Sequence, residues 1–378
     1  MRPIYLDCNA TSPIDPQVRV VLDKYLYEEF GNSGSRTHIY GAESKKAVQK
    51  AREEVANIVD ADDDEVFFTS GATEADNISI LGLEAYGIET NRKHIVTSTI
   101  EHKAVLEPYA YLESKGFEVT YLPSLSSGEV DVDALRGALR EDTLLVSLMH
   151  VNNETGIIQP LEKICEILSG HDAFLHVDAA QGFGKDLDSL KNKRIDMLSI
   201  SGHKIYGPKG VGALVCRRRD YKMLPLEPLF YGGGQERGLR PGTVPVYLVA
   251  ALGECSRVAL KDQASRREYC LRFKDGLLSG LSSLSPNFNG SMDKSIYNAI
   301  NISIDGVDSE AFILNTKEMI SVSNGSACTS SSYDLSYVLK AMGISDVQAS
   351  GAIRFSWSHL TKEPDWGVIV KRIASLKC

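Results

Sequence analysis

The chain has 378 residues, 43% of them hydrophobic and 24% charged, with a net charge of −9 at pH 7. That length exceeds the usual size of one hydrophobic core, so two domains are expected, and the composition is that of a soluble globular protein. The acidic balance argues against a broad face for nucleic-acid phosphates, and no stretch is apolar enough to span a bilayer.

Apolar, β-rich runs recur at 66–69, 94–98, 119–122, 144–149, 173–178, 195–201 and 211–216. Between them, segment 43–59 places Ala47, Val48, Ala51, Val55, Ile58 and Val59 on one face at helical spacing. Segments 73–85, 103–115, 132–140 and 161–168 read likewise as helices. Alternating strand and helix predicts right-handed crossovers and a mainly parallel sheet covered on both faces. After Cys216 the pattern changes to a loop region, Tyr231-Gly232-Gly233-Gly234 to Arg240-Pro241-Gly242-Thr243. One long helix or two follow over 246–281, then a strand at 300–304, a Ser/Thr-rich loop at 321–332 and a terminal helix from Asp365. The expected arrangement is a large α/β domain followed by a smaller α+β domain.

Seven cysteines (Cys8, Cys165, Cys216, Cys255, Cys270, Cys328, Cys378) are scattered without any Cys-x-x-Cys. An odd count at irregular spacing fits reduced thiols rather than a disulfide framework or a zinc cage. The N-terminus, Met1-Arg2-Pro3-Ile4-Tyr5-Leu6-Asp7, lacks a signal-peptide profile. A cytoplasmic protein without a bound metal is expected.

Five polar segments sit where strands are predicted to end, the place where such sheets bind ligands. Ser70-Gly71-Ala72-Thr73-Glu74 opens a helix, and its small residues let backbone N–H groups close on an anion. A plain Thr73 cap is the alternative. Glu101-His102-Lys103 brings an imidazole that can stack on a ring and trade protons, although a lone histidine is more often structural. His150-Val151-Asn152-Asn153-Glu154 brings amides. His176-Val177-Asp178-Ala179-Ala180-Gln181 ends its strand with a carboxylate, suited either to a protonated pyridine nitrogen or to capping the next helix. Ser201-Gly202-His203-Lys204 puts a lysine in a crowded turn, where its amine can stay neutral enough to form a Schiff base with an aldehyde cofactor. Each segment alone is weak; together they supply what pyridoxal phosphate requires.

Two features lie downstream. Ser326-Ala327-Cys328-Thr329-Ser330 places a thiol among small and hydroxyl residues, unlike the packed fate of most free cysteines. An exposed thiol there is a nucleophile; an incidental surface cysteine is the alternative. Arg354, among Ile353 and Phe355, suits bidentate capture of a carboxylate or a structural ion pair.

Assembled, these residues resemble the pyridoxal-phosphate-dependent cysteine desulfurases of the NifS/IscS type, in the class V aminotransferase superfamily. The resemblance runs from Tyr5-Leu6-Asp7 to Arg354-Phe355-Ser356 and takes in Phe30-Gly31-Asn32 and all the segments above. It implies a fold-type I transferase with a large, mainly parallel α/β/α domain over residues 15–250. A smaller α+β domain, 1–14 with 251–378, would carry the cysteine loop. It also implies a homodimer with sites at the subunit interface. Lys204 would bear the cofactor, Asp178 would pair with the pyridine nitrogen, Gln181 would touch the ring hydroxyl and His102 would stack on the ring. Ala72, Thr73, Ser201 and His203 would bind the phosphate, joined by Thr243 of the neighbouring subunit. Asn153 and Arg354 would hold the carboxylate of L-cysteine. Cys328 would take the sulfur as a persulfide, leaving L-alanine, and pass it to an acceptor protein for iron–sulfur assembly, tRNA thiolation or DNA phosphorothioation. No direct contact with nucleic acid or membrane is expected. The chain departs from the family in three places. Cys8 stands where many relatives carry Asn, Tyr or His, near the site entrance, with a disulfide or a modulating role expected. The chain ends at Cys378 without the extension that housekeeping members use to engage their scaffold. Trp357 replaces a smaller residue.

Overall fold

The computed structural model describes residues 2–324 and 335–376. Its strands are β1 (Ile4–Tyr5), β2 (Val66–Thr69), β3 (His94–Ser98), β4 (Glu118–Leu122), β5 (Thr143–Met149), β6 (Phe174–Asp178), β7 (Met197–Ser201), β8 (Gly212–Cys216), β9 (Asn287–Phe288), β10 (Ala299–Ser303), β11 (Ile320–Ser321) and β12 (Ala352–Ser356). The α-helices are α1 (Pro16–Asp23), α2 (Ile39–Val59), α3 (Ala72–Leu81), α4 (Glu84–Glu89), α5 (Lys103–Ser114), α6 (Val132–Ala138), α7 (Leu161–Leu168), α8 (Val246–Lys261), α9 (Gln263–Leu281), α10 (Ser309–Thr316), α11 (Tyr337–Ala341), α12 (Asp346–Ser350) and α13 (Trp366–Ala374).

Seven strands form the main sheet, in the order β2-β8-β7-β6-β5-β3-β4. Strands β3 to β7 pair in parallel, and only β8 runs antiparallel to its neighbours β7 and β2. The sheet is therefore mainly parallel, as the alternating pattern predicts. Most of its strands are buried along their whole length, because helices cover both faces. One face packs on α2, α7 and α8 through Val55, Ile58, Leu161, Ile164, Val249 and Leu252. The other packs on α3 and α5 through Ile78, Val105, Tyr109 and Leu112.

A second core surrounds the antiparallel sheet β9-β10-β12. Phe273 and Leu277 of α9, Phe312 of α10, Trp366 and Ile369 of α13, and Leu6 from the N-terminus fill it. Trp357 lies at its centre, fully buried, with its ring 5.2 Å from Phe273 and Nε1 donating to the Cys270 carbonyl at 3.0 Å. That position accounts for the large side chain: it is a core residue with its one polar atom satisfied. Strand β1 joins this half by pairing with β11, and Asp7 bridges to Ser356.

Two expected helices divide. Segment 73–85 breaks at Gly82, where an added Cβ would lie 2.4 Å from the Ile78 carbonyl. Segment 246–281 becomes α8 and α9, separated at Asp262. Elsewhere caps fix the starts: Asp131, Asp308 and Asp365 each accept a backbone N–H of the first turn. Among the described residues, no helix is long and apolar enough to cross a membrane.

Helices α2 and α8 meet at nearly bare backbone. A Cβ on Gly253 would lie 2.5 Å from the Ala51 Cα. Gly253→Ala is therefore expected to destabilise the protein by about 1–2 kcal/mol despite its better helix propensity, seen as a lower urea midpoint.

Candidate active site

The carboxyl ends of β2, β3, β5, β6 and β7 share one rim of the sheet, and each is followed by one of the five polar segments. At the first, α3 begins at Ala72 behind Gly71, and no side chain caps it. The Thr73 cap is not formed, so the first N–H groups of α3 are available to an anion. Space is available as well: a Cβ built on Gly71 would meet nothing within 4 Å. Glu74 is turned away, accepting from Ser70 N at 2.6 Å and from Arg240 Nε at 2.8 Å.

Asp178 is buried at the end of β6, and its Oδ1 accepts from Ala180 N at 2.9 Å. Burial, and then the charge of Asp76, push its carboxyl up to about 6. Behind it lies a polar cluster. Asp76 Oδ1 stands 3.4 Å from His176 Nε2, and His176 bonds Ser147 at 2.7 Å and Ser199 at 2.9 Å. Glu101 is fully buried nearby and burial raises its carboxyl to about 8. His102 caps α5, its Nδ1 accepting from Ala104 N at 3.1 Å, which leaves the imidazole proton on Nε2. When protonated, His102 lowers the proton affinity of Asp178.

Lys204 ends a single turn of 3-10 helix, Gly202–Lys204, set directly after β7. Its Nζ donates to the carbonyls of Asn9 and, at 3.0 Å, Ala10. His203 bonds Thr11 Oγ1 at 3.1 Å, and burial with the nearby lysine charges pushes it down to about 4. It is a neutral hydrogen-bonding group at pH 7. Ser201 is buried beside it, whereas Thr243 is exposed on the loop after Arg240.

Asn9 ties the site together, and nothing local in the sequence marks it. Its carbonyl also accepts from Gln181 Nε2 at 2.9 Å, and its side-chain amide donates to the Asn153 carbonyl at 3.2 Å. Arg354 NH1 reaches that same Asn153 carbonyl at 2.9 Å, while NH2 pairs with Asp7 at 2.7 Å. Asn152 builds the turn, its Oδ1 accepting from Glu154 N and Thr155 N at 2.9 Å each, and so presents Asn153. The structure thus gathers Gln181, His203, Lys204, Asn153 and, through Asn153, Arg354 around one short N-terminal turn, with Asp178 three residues before Gln181.

Two residues missed in the sequence anchor the far side. Glu154 is buried, and burial raises its carboxyl to about 7; it accepts from Ser336 Oγ at 2.5 Å. Tyr337 donates to the Glu101 carbonyl at 2.6 Å. For Glu154 the only local signal was an acid within the polar segment that follows β5, and Tyr337 carried none. Cys328, the expected sulfur acceptor, lies outside the described residues, between Asn324 and Leu335. The expectation for Cys8 needs correction. Its thiol is buried and free against the hydroxyls of Ser358 and Thr361, and burial pushes it up to about 11. Among the described residues it forms no disulfide. Cys165, Cys216, Cys255 and Cys270 are likewise buried and free.

Residues 4–365 match the class-V aminotransferase family. Over 366 residues the chain is 44% identical to the cysteine desulfurase IscS of Serratia proteamaculans (strain 568), covering 96% of this chain and 90% of the relative. The chain belongs to the cysteine desulfurase family. A NifS-like protein superposes with a TM-score of 0.90 at 36% identity, covering 100% of this chain and 99% of the other. DndA from Streptomyces lividans gives 0.81 at 47% identity, covering 92% and 98%. SspA in complex with cysteine gives 0.83 at 36% identity, covering 95% and 100%.

The cofactor of this family is pyridoxal phosphate, and the residues present suit it. The uncapped start of α3 fits a phosphate, the buried Asp178 fits a ring nitrogen that keeps its proton, and the Lys204 amine fits an aldehyde. Gln181 Oε1 and Asn153 Oδ1 are buried without a protein partner, as expected of groups that face a ligand.

The pH behaviour of Glu101 is testable. Folded, it keeps its proton up to about pH 8, whereas an ordinary carboxyl loses it near 4.5. The folded state therefore holds the extra proton between those values, and stability falls as pH rises through that window. Glu101→Gln is expected to melt with wild type near pH 5 and above it at pH 8, as thermal scans across pH 5–8 would reveal.

Proposed function

We propose that this cysteine desulfurase converts L-cysteine to L-alanine, using Lys204 as the cofactor-bearing amine and Cys328 as the first sulfur acceptor. The observation that carries this reading is the convergence of Lys204, Gln181, Asn153 and, through Asn153, Arg354 on the turn at Asn9. SspA, of the same fold, is described in complex with cysteine. Bound pyridoxal phosphate supplies an aldehyde for amines and a ring that takes up the electrons released at Cα.

The chain's own residues do the rest. Arg354, already aimed by Asp7 and the Asn153 carbonyl, holds the substrate carboxylate together with the Asn153 amide. The Lys204 amine, when free, would take the Cα proton. Asp178 would pair with the ring nitrogen and help it keep its proton, and His102 would stack on the ring and could exchange a proton at Nε2. Ala72, Thr73, Ser201 and the neutral His203 hold the phosphate by hydrogen bonds. The Cys328 thiolate then forms an S–S bond with the substrate sulfur while the substrate C–S bond breaks. The electron pair of that bond stays on carbon and is protonated, giving L-alanine and a Cys328 persulfide. An acceptor protein removes the outer sulfur.

The protein acts as a homodimer in the cytoplasm. Tyr27, Phe30, Ile39, Phe230 and Tyr231 are all exposed, and Phe30 stacks on Tyr40 at 5.5 Å, an apolar surface of the kind a second subunit covers. Thr243 lies exposed on the loop pinned by Glu236 to Arg52 at 2.7 Å, which suits a contribution to the neighbour's phosphate site. Five buried free thiols suit a reducing compartment. The same reading places the domain boundary after Lys261 rather than at 250, because Val249 to Ala259 of α8 pack in the main core and Cys270 of α9 in the second.

The decisive assay follows alanine and sulfide from L-cysteine with a reductant present. Cys328→Ala is expected to keep the cofactor absorbance and lose turnover at least a hundredfold; full activity would refute the thiol assignment. Lys204→Ala is expected to abolish borohydride labelling. Phe30→Asp is expected to shift the protein from dimer to monomer in light scattering and to weaken cofactor retention.

A further inference from the structure

Glu74 stands in the first turn of α3, the same helix start whose free N–H groups suit a phosphate. A carboxylate in that turn is attracted by the positive helix end, and it repels any second anion that seeks the same place. It is not a solvated surface charge, since its side chain is only 13% exposed. One oxygen accepts from Ser70 N at 2.6 Å, which ties it to the backbone just ahead of the helix.

Arg240 answers that charge with a two-pronged pair, Nε to Oε1 at 2.8 Å and NH2 to Oε2 at 3.3 Å. Its guanidinium also lies 5.8 Å from the centre of the Phe230 ring. Burial pushes the Glu74 carboxyl up, but the hydrogen bonds from Arg240 and Ser70 outweigh it and hold the carboxyl below its ordinary value. Glu74 is therefore ionised, with both oxygens drawn toward the arginine.

The loop that delivers Arg240 is strained and firmly held. Glu236 and Arg237, neither of them glycine, sit at φ +47° and +54°. Such backbone persists only where its surroundings impose it. Glu236 accepts from Arg52 at 2.7 and 2.9 Å and from Phe68 N at 2.8 Å, and the Arg237 guanidinium lies 4.1 Å from the Phe67 ring centre. Beyond Arg240, Gly242 N donates to Gln235 at 2.9 Å. The loop is thus fastened to β2, the strand that leads into α3, and Arg240 arrives at a fixed place.

We propose that Arg240 is a positioning residue for the cofactor phosphate, neutralising Glu74 and holding it aside so that a dianion can enter the start of α3. The inference rests on the reading of that helix start as the phosphate site. Without the guanidinium, Glu74 keeps a mostly buried, uncompensated charge in the turn that the phosphate must occupy.

The test strips the cofactor from the full-length enzyme and follows its rebinding by absorbance, with inorganic phosphate as competitor. Arg240→Gln is expected to weaken pyridoxal phosphate binding about tenfold, and to weaken competition by phosphate about as much. Arg240→Lys, which keeps the charge, is expected to stay within about threefold of wild type. Glu74→Gln added to Arg240→Gln is expected to restore both affinities. A merely structural role leaves the double variant as weak as Arg240→Gln, and that result overturns the proposal. Unmoved cofactor affinity in Arg240→Gln overturns it too, as does a loss of cofactor affinity without a matching change in phosphate competition. Gly71→Asp tests the reading beneath. It sets a helix-capping carboxylate where an added Cβ meets no neighbour, so the protein is expected to fold and to lose cofactor retention. Retention in Gly71→Asp refutes the phosphate site and this inference with it; loss there beside an unmoved Arg240→Gln refutes the inference alone.

Discussion

The hydrogen bonds of Asn9 are the constraint on which the active site depends. One carbonyl takes Lys204 and Gln181, one side-chain amide reaches Asn153, and its backbone N–H donates to the Ser356 hydroxyl at 2.9 Å. Four segments far apart in the chain are registered through a residue that is itself buried. A buried polar group left without its hydrogen bond costs about 1–3 kcal/mol, so this network weighs on the stability of the fold. The turn is therefore part of the fold and part of the chemistry at once. The same strand-end rim carries the uncapped start of α3, so the rigid sheet supplies the platform and the N-terminus closes it.

Around that turn the charges are sorted. Asp76 acts on both Asp178 and Glu101, and Lys204 acts on both Lys185 and His203. Burial raises the carboxyls of Glu101 and Asp178 above the usual carboxylate range, and burial with the charge of Lys204 lowers Lys185 and His203 below theirs.

Much of this was legible in the sequence, and the reasons are physical. Parallel strands buried on both faces read as unbroken apolar runs, and β2, β3, β5, β6 and β7 stand within two residues of expectation. The polar segments after them stood out because small and titratable residues interrupt those runs. What the sequence hid were pairings across long separations: Asn9 with Lys204, Glu154 with Ser336, Asp7 with Arg354. No local pattern encodes them. Cys8 was misplaced for the same reason, since its cover comes from Ser358 and Thr361. The break between α8 and α9 falls at Asp262, with neither glycine nor proline to announce it. The Cys328 loop was marked by composition alone.

The pairing of β1 with β11, and of Asp7 with Ser356, has a consequence for biosynthesis. Strand β1 is made well before its partners, β11 and the segment at Ser356. Throughout translation the large sheet can form while its crevice stays open, because the peptide that seals it has nothing to hold on to. Closure of the crevice thus couples the two ends of the fold.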